Sequence, residues 1–360
     1  MPNQSKLSDS DNVQAAKAAG LRYWPADSTG IERIRASGGF RYRRKNGSVS
    51  AADKSRIKSL VLPPAWEDVR ICPFANGHIQ AVGIDARGRK QYRYHADWRA
   101  ARDGDKYERV MEFARVLPKV RRTVRRHLKL KGLPREKVLA AVVRLLEMTL
   151  IRVGNDQYAR DNKSFGLTTL RNRHVKVVGE TARFQFKGKS GVEHAIDLQD
   201  KHLARLIRKC QDLPGEELFA YEDDNGKIID VGSADVNEYL QKITGSSFTA
   251  KDFRTWAGTV LAATALKAME DVDTQVARKK NVVTAIESVA KRLGNTRAVC
   301  RKCYVHPAIL DTYMDGSLVQ SLSAAAGNEL AGKLKSLPAE EAAVLVLLKR
   351  RLGKRKTKTV

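Results

Sequence analysis

The period of the hydrophobic pattern changes near residue 107 of this chain, and that change calls for two different kinds of domain in series. From about residue 30 to about residue 100, apolar and polar residues alternate with the period of a half-buried strand. The run Gly39-Phe-Arg-Tyr-Arg-Arg-Lys interleaves aromatic and basic residues, and Asn46-Gly47 supplies a hairpin signal. Pro63-Pro64 breaks the next segment, and Ile79–Ile84 and Gln91–Tyr94 predict strands around a turn at Asp85-Ala-Arg-Gly-Arg. After about residue 107 the apolar residues recur every three or four positions instead. Tyr107–Arg126 predicts one or two helices, and Pro134 opens another with Val138, Val142, Leu145, Leu146 and Thr149 on one face. Further helices are predicted at about 200–211, 233–243, 249–269, 274–293, 296–314, 318–333 and 338–351. Inside this region Leu170–Val178 and Arg183–Lys187 alternate again beside the tight turn Gly188-Lys189-Ser190-Gly191, which predicts a small inserted sheet.

The fold class is therefore α+β: a small β-rich N-terminal domain followed by a larger, mainly α-helical domain with a small inserted β-sheet. The 360 residues suit about two domains. The predicted divisions are a flexible arm at 1–20, the β-rich domain at 21–103, the helical domain at 104–351 and a basic tail at 352–360, with the polar stretch Arg99–Lys106 as the hinge.

Charge narrows the partners. The chain has 67 Lys and Arg against 40 Asp and Glu, a formal charge of +27. Such a field attracts polyanions, and nucleic acid is the commonest inside a cell. The basic residues run through the whole chain instead of collecting on an amphipathic helix, so a membrane surface is disfavoured. The longest apolar run, Ala342–Leu348, is far short of the ~20 residues of a membrane span. The polar, acidic start reads as no secretory signal, and four cysteines fit a reducing cytoplasm better than a disulfide scaffold.

Several motifs have ordinary explanations. Cys300 and Cys303 are two thiols on one helix face, short of the four ligands of a structural zinc site. Lys187-Gly-Lys-Ser lacks the upstream glycine and the following helix of a phosphate loop. His174, placed on a strand, reads as a hydrogen-bonded structural residue. No carboxylate pair is placed for magnesium, so no cofactor and no metal are expected. Taken singly, Arg152 at a helix end, Arg254 ahead of an apolar stretch and Tyr304 beside Arg301-Lys302 each have a structural reading.

Their order is more informative. Ile151-Arg-Val-Gly-Asn with Tyr158, Asn162 and Gly166-Leu-Thr-Thr-Leu, then Phe184-Gln-Phe-Lys-Gly-Lys189, then Lys251-Asp-Phe-Arg254-Thr-Trp, then Leu293-Gly-Asn-Thr and Cys303-Tyr304-Val-His-Pro, resembles the small poxvirus-like type IB DNA topoisomerases of bacteria. Upstream, Asp85-Ala-Arg-Gly-Arg-Lys-Gln-Tyr-Arg-Tyr94 resembles their DNA-contacting strand, and the resemblance covers about residues 30–315. It implies a fold shared with tyrosine recombinases, double-stranded DNA as partner, action as a monomer and a place at the nucleoid. Tyr304 is then the nucleophile that forms a 3′-phosphotyrosine, Arg152 and Arg254 hold the phosphate, and Lys189 is the general acid. Gln91, Tyr92, Tyr94, Tyr158 and Lys251 are implied DNA contacts. Asn295 departs from the pattern: viral and eukaryotic members have a histidine there. An amide still donates a hydrogen bond but never carries charge, which predicts weaker pH sensitivity and not inactivity.

These residue types suit strand transfer at phosphorus. A phenol displaces the 5′-oxygen and keeps the bond energy for resealing, which requires no ATP. Planar guanidiniums stabilise the charge that grows on the non-bridging oxygens, and a lysine protonates the leaving alkoxide. Two rival readings remain. A tyrosine recombinase shares this logic but usually has His-x-x-Arg where this chain has Lys251-x-x-Arg254, and it lacks the β-rich block. A non-enzymatic architectural protein accounts for charge and helices but not for the ordered blocks.

Overall fold

The computed structural model describes residues 9–45, 47–86, 88–223, 225–269, 272–328 and 336–356. Contacts divide the chain into two compact units, Met1–Glu108 and Arg109–Val360. The first holds α1 (Asp9–Ala18), β1 (Ile31–Ala36), β2 (Gly39–Arg43), α2 (Ala51–Ser59), β3 (Glu67–Ile71), β4 (Ile79–Ile84) and β5 (Lys90–Tyr94), followed by the start of α3 (Ala96–His127). Its strands form one antiparallel sheet in the order β2-β1-β3-β4-β5. Ile57 of α2 covers one face, packing with Ile31, Val69, Ile71 and Ala81. Ser50 caps α2 by accepting the Asp53 N–H at 3.0 Å.

Three expectations for this unit need correction. Gly39–Arg43 pairs backward with β1, not forward across Asn46-Gly47. The adjacent Gly38 (φ +83°) and Gly39 (φ +153°) make that turn cheaply, whereas Asn46 lies outside the described residues. The supposed flexible arm is helical from Asp9, and Ala16 and Leu21 are buried with Trp98; residues 1–8 lie outside the described residues. Its small Ala15, Ala16 and Ala19 give little hydrophobic signal yet allow close packing. The stretch 99–106 expected as a hinge is helical within α3, where Arg99, Ala100, Ala101 and Arg102 are good helix formers.

The second unit continues with α4 (Arg135–Thr149), α5 (Asp156–Asn162), β6 (Val175–Val178), β7 (Thr181–Lys187), β8 (Glu193–Gln199), α6 (Lys201–Gln211), β9 (Ala220–Glu222) and β10 (Ile228–Asp230). Then come α7 (Ser233–Thr244), α8 (Ala250–Lys267), α9 (Gln275–Leu293), α10 (Arg297–Cys303), α11 (Pro307–Met314), α12 (Leu318–Asn328) and α13 (Ala339–Lys356). The inserted sheet has three antiparallel strands, β6-β7-β8. The β9–β10 hairpin has no counterpart among the predicted elements.

Helix α4 is the centre of the core. Val138 through Val143, with Leu145 and Leu146, are all buried, so the helix is enclosed on every side and not only along the predicted face. His174 lies in a short 3-10 turn ahead of β6, not on a strand; its Nδ1 accepts the Arg171 N–H at 3.0 Å and its ring lies 4.4 Å from Phe165. The helix predicted over 296–314 is broken into α10 and α11 by Tyr304, Val305 and His306. Pro307 has no N–H to continue the helix, so it opens α11 instead.

Arg121 of α3 ties α4 to α13. Its Nε donates to Glu147 at 2.5 Å and its Nη atoms to Glu341 at 2.9 and 2.7 Å. With all three side chains at least four-fifths buried, Arg121→Ala leaves two carboxylates facing each other away from water. The expected loss is about 2–3 kcal/mol, below the ~3–5 of fully buried pairs because water still reaches the edge. Urea unfolding of wild type and variant measures it.

Candidate active site

Arg254 lies in the first turns of α8, which a capping box starts: the Asp252 carboxylate accepts the Thr249 N–H at 2.7 Å and is itself held by Arg109 at 2.9 Å. Arg254 is 4% exposed. Its Nη1 donates to the carbonyl of Leu150 and its Nη2 to that of Leu293 at 2.6 Å. These carbonyls end α4 and α9, so one guanidinium meets the negative ends of two helices. Each chain reverses there. Leu150 has φ +57°, unusual for a branched side chain, and Gly294 has φ +58°. Arg254 Nε is buried and unpartnered among the described residues.

Arg152 follows α4 in extended chain; it does not end the helix, as the sequence suggested. Its strand is pinned where Leu167 N–H donates to the Arg152 carbonyl at 2.9 Å and Thr168 N–H to that of Val153 at 2.6 Å. The close approach requires glycine: a Cβ on Gly166 would lie 2.6 Å from the Arg152 oxygen. Arg152 Nη2 donates to the Gly294 carbonyl at 3.0 Å and to the Asn295 Oδ1. Asn295 is set by the Schellman cap of α9, its own N–H reaching the Ala290 carbonyl at 2.9 Å. With its oxygen on Arg152, the Asn295 Nδ2 is left buried and unpartnered among the described residues.

Tyr304 caps the C-terminus of α10 and is buried, with the Arg254 guanidinium carbon 5.2 Å from its ring centre. Its backbone rests on α8 one turn beyond Arg254. A Cβ on Gly258 would lie 2.7 Å from the Tyr304 oxygen, and Thr259 Oγ1 donates to that oxygen at 3.3 Å. The same hydroxyl accepts the His306 N–H at 3.1 Å, fixing both sides of the break between α10 and α11. Sequence reading missed Gly258 and Thr259. The available signal is Gly258, four positions after Arg254 and so on its helix face; Thr259, one position further on, has no such signal.

Lys189 sits at the β7–β8 turn, where Gly188 N–H donates to Val192 O at 2.8 Å and Ser190 adopts φ +64°. Its ammonium lies 5.9 Å from the ring centre of half-exposed Tyr158 on α5. His194, opposite Phe186 in the hairpin, was also missed. Its ring stacks on Phe186 at 4.9 Å and borders Gly188 and Gly294. The alternation of His194, Ile196 and Leu198 toward the inner face of β8 was the available signal.

The structure brings Arg152, Arg254, Asn295 and Tyr304 together, with Tyr158 beside Lys189 on neighbouring elements. Lys251 is exposed in the first turn of α8. Gln91, Tyr92 and Tyr94 lie on β5 in the first unit. Tyr92 and Tyr94 stack 5.9 Å apart over the cluster containing Trp24, Ile79 and Val82, and Gln91 Nε2 donates to Asp85 at 2.8 Å. Among the described residues no His, Cys, Asp and Glu group of three or more could hold a metal ion.

Electrostatically the site lacks an anion. Neither Arg152 nor Arg254 pairs with a carboxylate among the described residues. Burial pushes both guanidiniums below their usual range, Arg254 adds to the effect on Arg152, and both remain charged at neutral pH. The two cations and the Asn295 amide can hold an oxyanion beside the Tyr304 phenol.

A phenol against paired arginines, carried on a helical unit with a lysine hairpin, defines a class of enzymes that break and rejoin DNA. Residues 95–323 match the family model for the catalytic core of eukaryotic DNA topoisomerase I, and residues 39–85 that for the N-terminal domain of bacterial DNA topoisomerase IB. The chain belongs to the type IB DNA topoisomerase family. It is 34% identical over 283 residues to DNA topoisomerase 1B of Acanthamoeba polyphaga mimivirus, covering 77% of this chain and 84% of the relative. It is 23% identical over 269 residues to DNA topoisomerase I of Monkeypox virus, covering 73% and 80%, and 25% identical over 203 residues to DNA topoisomerase 1 of Mycosarcoma maydis, covering 51% and 19%. The N-terminal match sets aside the recombinase reading, which has no place for that block. Among the described residues no helix is long and apolar enough to cross a membrane.

Gly258→Ala tests how Tyr304 is seated. Ala normally stabilises a helix interior by about 0.5–1 kcal/mol, but here it pushes on the Tyr304 backbone. DNA relaxation is expected to slow about 100-fold, the cost of misplacing a reacting group by ~1 Å, while filter-binding affinity for duplex DNA stays at the wild-type value.

Proposed function

We propose that the chain relaxes supercoiled DNA by cutting one strand, letting the free end rotate and resealing it through a phosphotyrosine. The single observation that carries this reading is the buried Arg254 guanidinium beside Tyr304, with partly buried Arg152 close enough to oppose its charge and neither paired with a carboxylate among the described residues. Charges held this way are costly without an anion and favourable with one, so they match a phosphodiester that grows more negative in the transition state.

Tyr304 Oη attacks phosphorus as the bond to the 5′-oxygen breaks, leaving a 3′-phosphotyrosine. The phenol loses a proton and the 5′-oxygen gains one, which Lys189 supplies. Arg152 and Arg254 hold the non-bridging oxygens: the Arg254 Nε is unpartnered, and each Nη keeps a second hydrogen after its carbonyl bond. The free Asn295 Nδ2 donates to the same phosphate. Resealing runs these steps in reverse with Lys189 as base. The covalent bond stores the energy of the one broken, so neither ATP nor a metal is required by the chemistry.

Gln91, Tyr92, Tyr94, Tyr158 and Lys251 contact the duplex. Tyrosine hydroxyls and lysine suit phosphates, and Gln91 reads a base edge once Asp85 releases it. The charge of +27 supplies the remaining affinity and suits an enzyme working as a monomer on nucleoid DNA.

Relaxation of supercoiled plasmid in EDTA without ATP tests the reading. Wild type is expected to relax the plasmid and Tyr304→Phe to bind it without relaxing it; equal relaxation by both would remove Tyr304 as nucleophile. Lys189→Ala is expected to slow strand cleavage by about 100- to 10,000-fold, measured in a single turnover, with plasmid binding retained.

A further inference from the structure

His194 takes no part in the chemistry described above, yet it stands between two parts of the site. Its ring is stacked on Phe186, the residue it faces across the hairpin. Its free edge fills the gap between two glycines. A Cβ on Gly188 would lie 2.6 Å from both Cδ2 and Nε2, and a Cβ on Gly294 would lie 2.8 Å from Cε1. Gly188 precedes Lys189, and Gly294 precedes Asn295. One imidazole therefore joins the backbone beside the lysine to the backbone beside the phosphate donors, and neither glycine has room for a side chain while the ring is there.

We propose that His194 is a positioning residue for strand cleavage: its neutral ring docks the Lys189 hairpin against the Gly294–Asn295 turn, so that the lysine meets the leaving 5′-oxygen. This rests on Lys189 being the general acid. The groups around the ring require it to be neutral. Arg152, from the segment after α4, and Arg254, from α8, both oppose a positive charge there; Glu193 on β8 favours one, and Phe186 of β7 is apolar. Burial and the two arginines hold the imidazole below its usual range, so at pH 7 it is uncharged. The sign follows: as pH falls below the usual imidazole range the ring gains a proton, is repelled by two guanidiniums and releases the hairpin.

The test is single-turnover cleavage of a duplex carrying the enzyme's mapped cleavage site, with the bridging 5′-atom either oxygen or sulfur. A thiolate leaves without a proton, so a sulfur substrate needs no correctly placed acid. His194→Ala is expected to cleave the oxygen substrate about 10- to 100-fold slower than wild type, part of the ~100-fold or more that a general acid supplies, and the sulfur substrate at the wild-type rate. Gly188→Ala, at an ordinary φ of −94°, displaces the ring and should show the same pattern, with no added loss in the His194→Ala background. Wild-type cleavage of the oxygen substrate should fall on acidification below the usual imidazole range, and His194→Gln should remove that fall. Wild-type rates in His194→Ala, or equal slowing on both substrates, would overturn the proposal. If sulfur restores Lys189→Ala but not His194→Ala, this proposal alone falls. If sulfur restores neither, the acid role of Lys189 falls with it.

Discussion

Two neighbouring arginines, Arg254 buried and Arg152 partly buried, with no carboxylate partner among the described residues, set the conditions that the second unit must meet. Burying an unpaired charge is among the most expensive arrangements in a protein. Here the cost is offset by the backbone: Arg254 is held by the carbonyl ends of α4 and α9, and Arg152 by the Gly294 carbonyl and Asn295. Neutral oxygens at helix C-termini carry only partial negative charge. They keep the guanidiniums in place without neutralising them, so the positive potential remains for a phosphate. A carboxylate would have given a more stable resting protein and a weaker anion site.

The surrounding architecture supplies those helix ends. Helix α4 is buried on all sides, so its C-terminus is fixed by the whole core, and the left-handed Leu150 turns its carbonyl toward Arg254. The Schellman cap at Gly294 aims the end of α9 at the same guanidinium and presents Asn295. Helix α8 then carries Gly258 one turn beyond Arg254 with Thr259 next to it, which brings the tyrosine backbone to the arginine. The break between α10 and α11 frees Tyr304 from a regular helix beside Arg254.

Much of this was legible in the sequence. The change in hydrophobic period gave the two kinds of domain, and of the residues singled out by their order and local blocks the structure brings Arg152, Arg254, Asn295 and Tyr304 together. What was missed depends on packing at close range. Gly258 and Gly188 look like ordinary glycines until a backbone oxygen and a histidine edge are found where their Cβ atoms would be. The αL turn at Leu150 has no composition signal, because tertiary contacts impose it on a residue that does not favour it. Helix α1 was mistaken for an arm because its buried residues are mostly alanines. The β1–β2 pairing went to the Gly38-Gly39 turn because two glycines accept positive φ more readily than the flanking sequence around Gly47.

The most direct measurement is the identity of the covalent link. Wild-type protein is incubated with a duplex nicked so that the cut strand loses the short downstream fragment bearing the 5′-hydroxyl, and the trapped adduct is digested and sequenced by mass spectrometry. The account predicts one modified peptide, spanning Cys303-Tyr304-Val305, joined through the tyrosine oxygen to a 3′-phosphate. An adduct on another residue, or one joined to a 5′-phosphate, would contradict it.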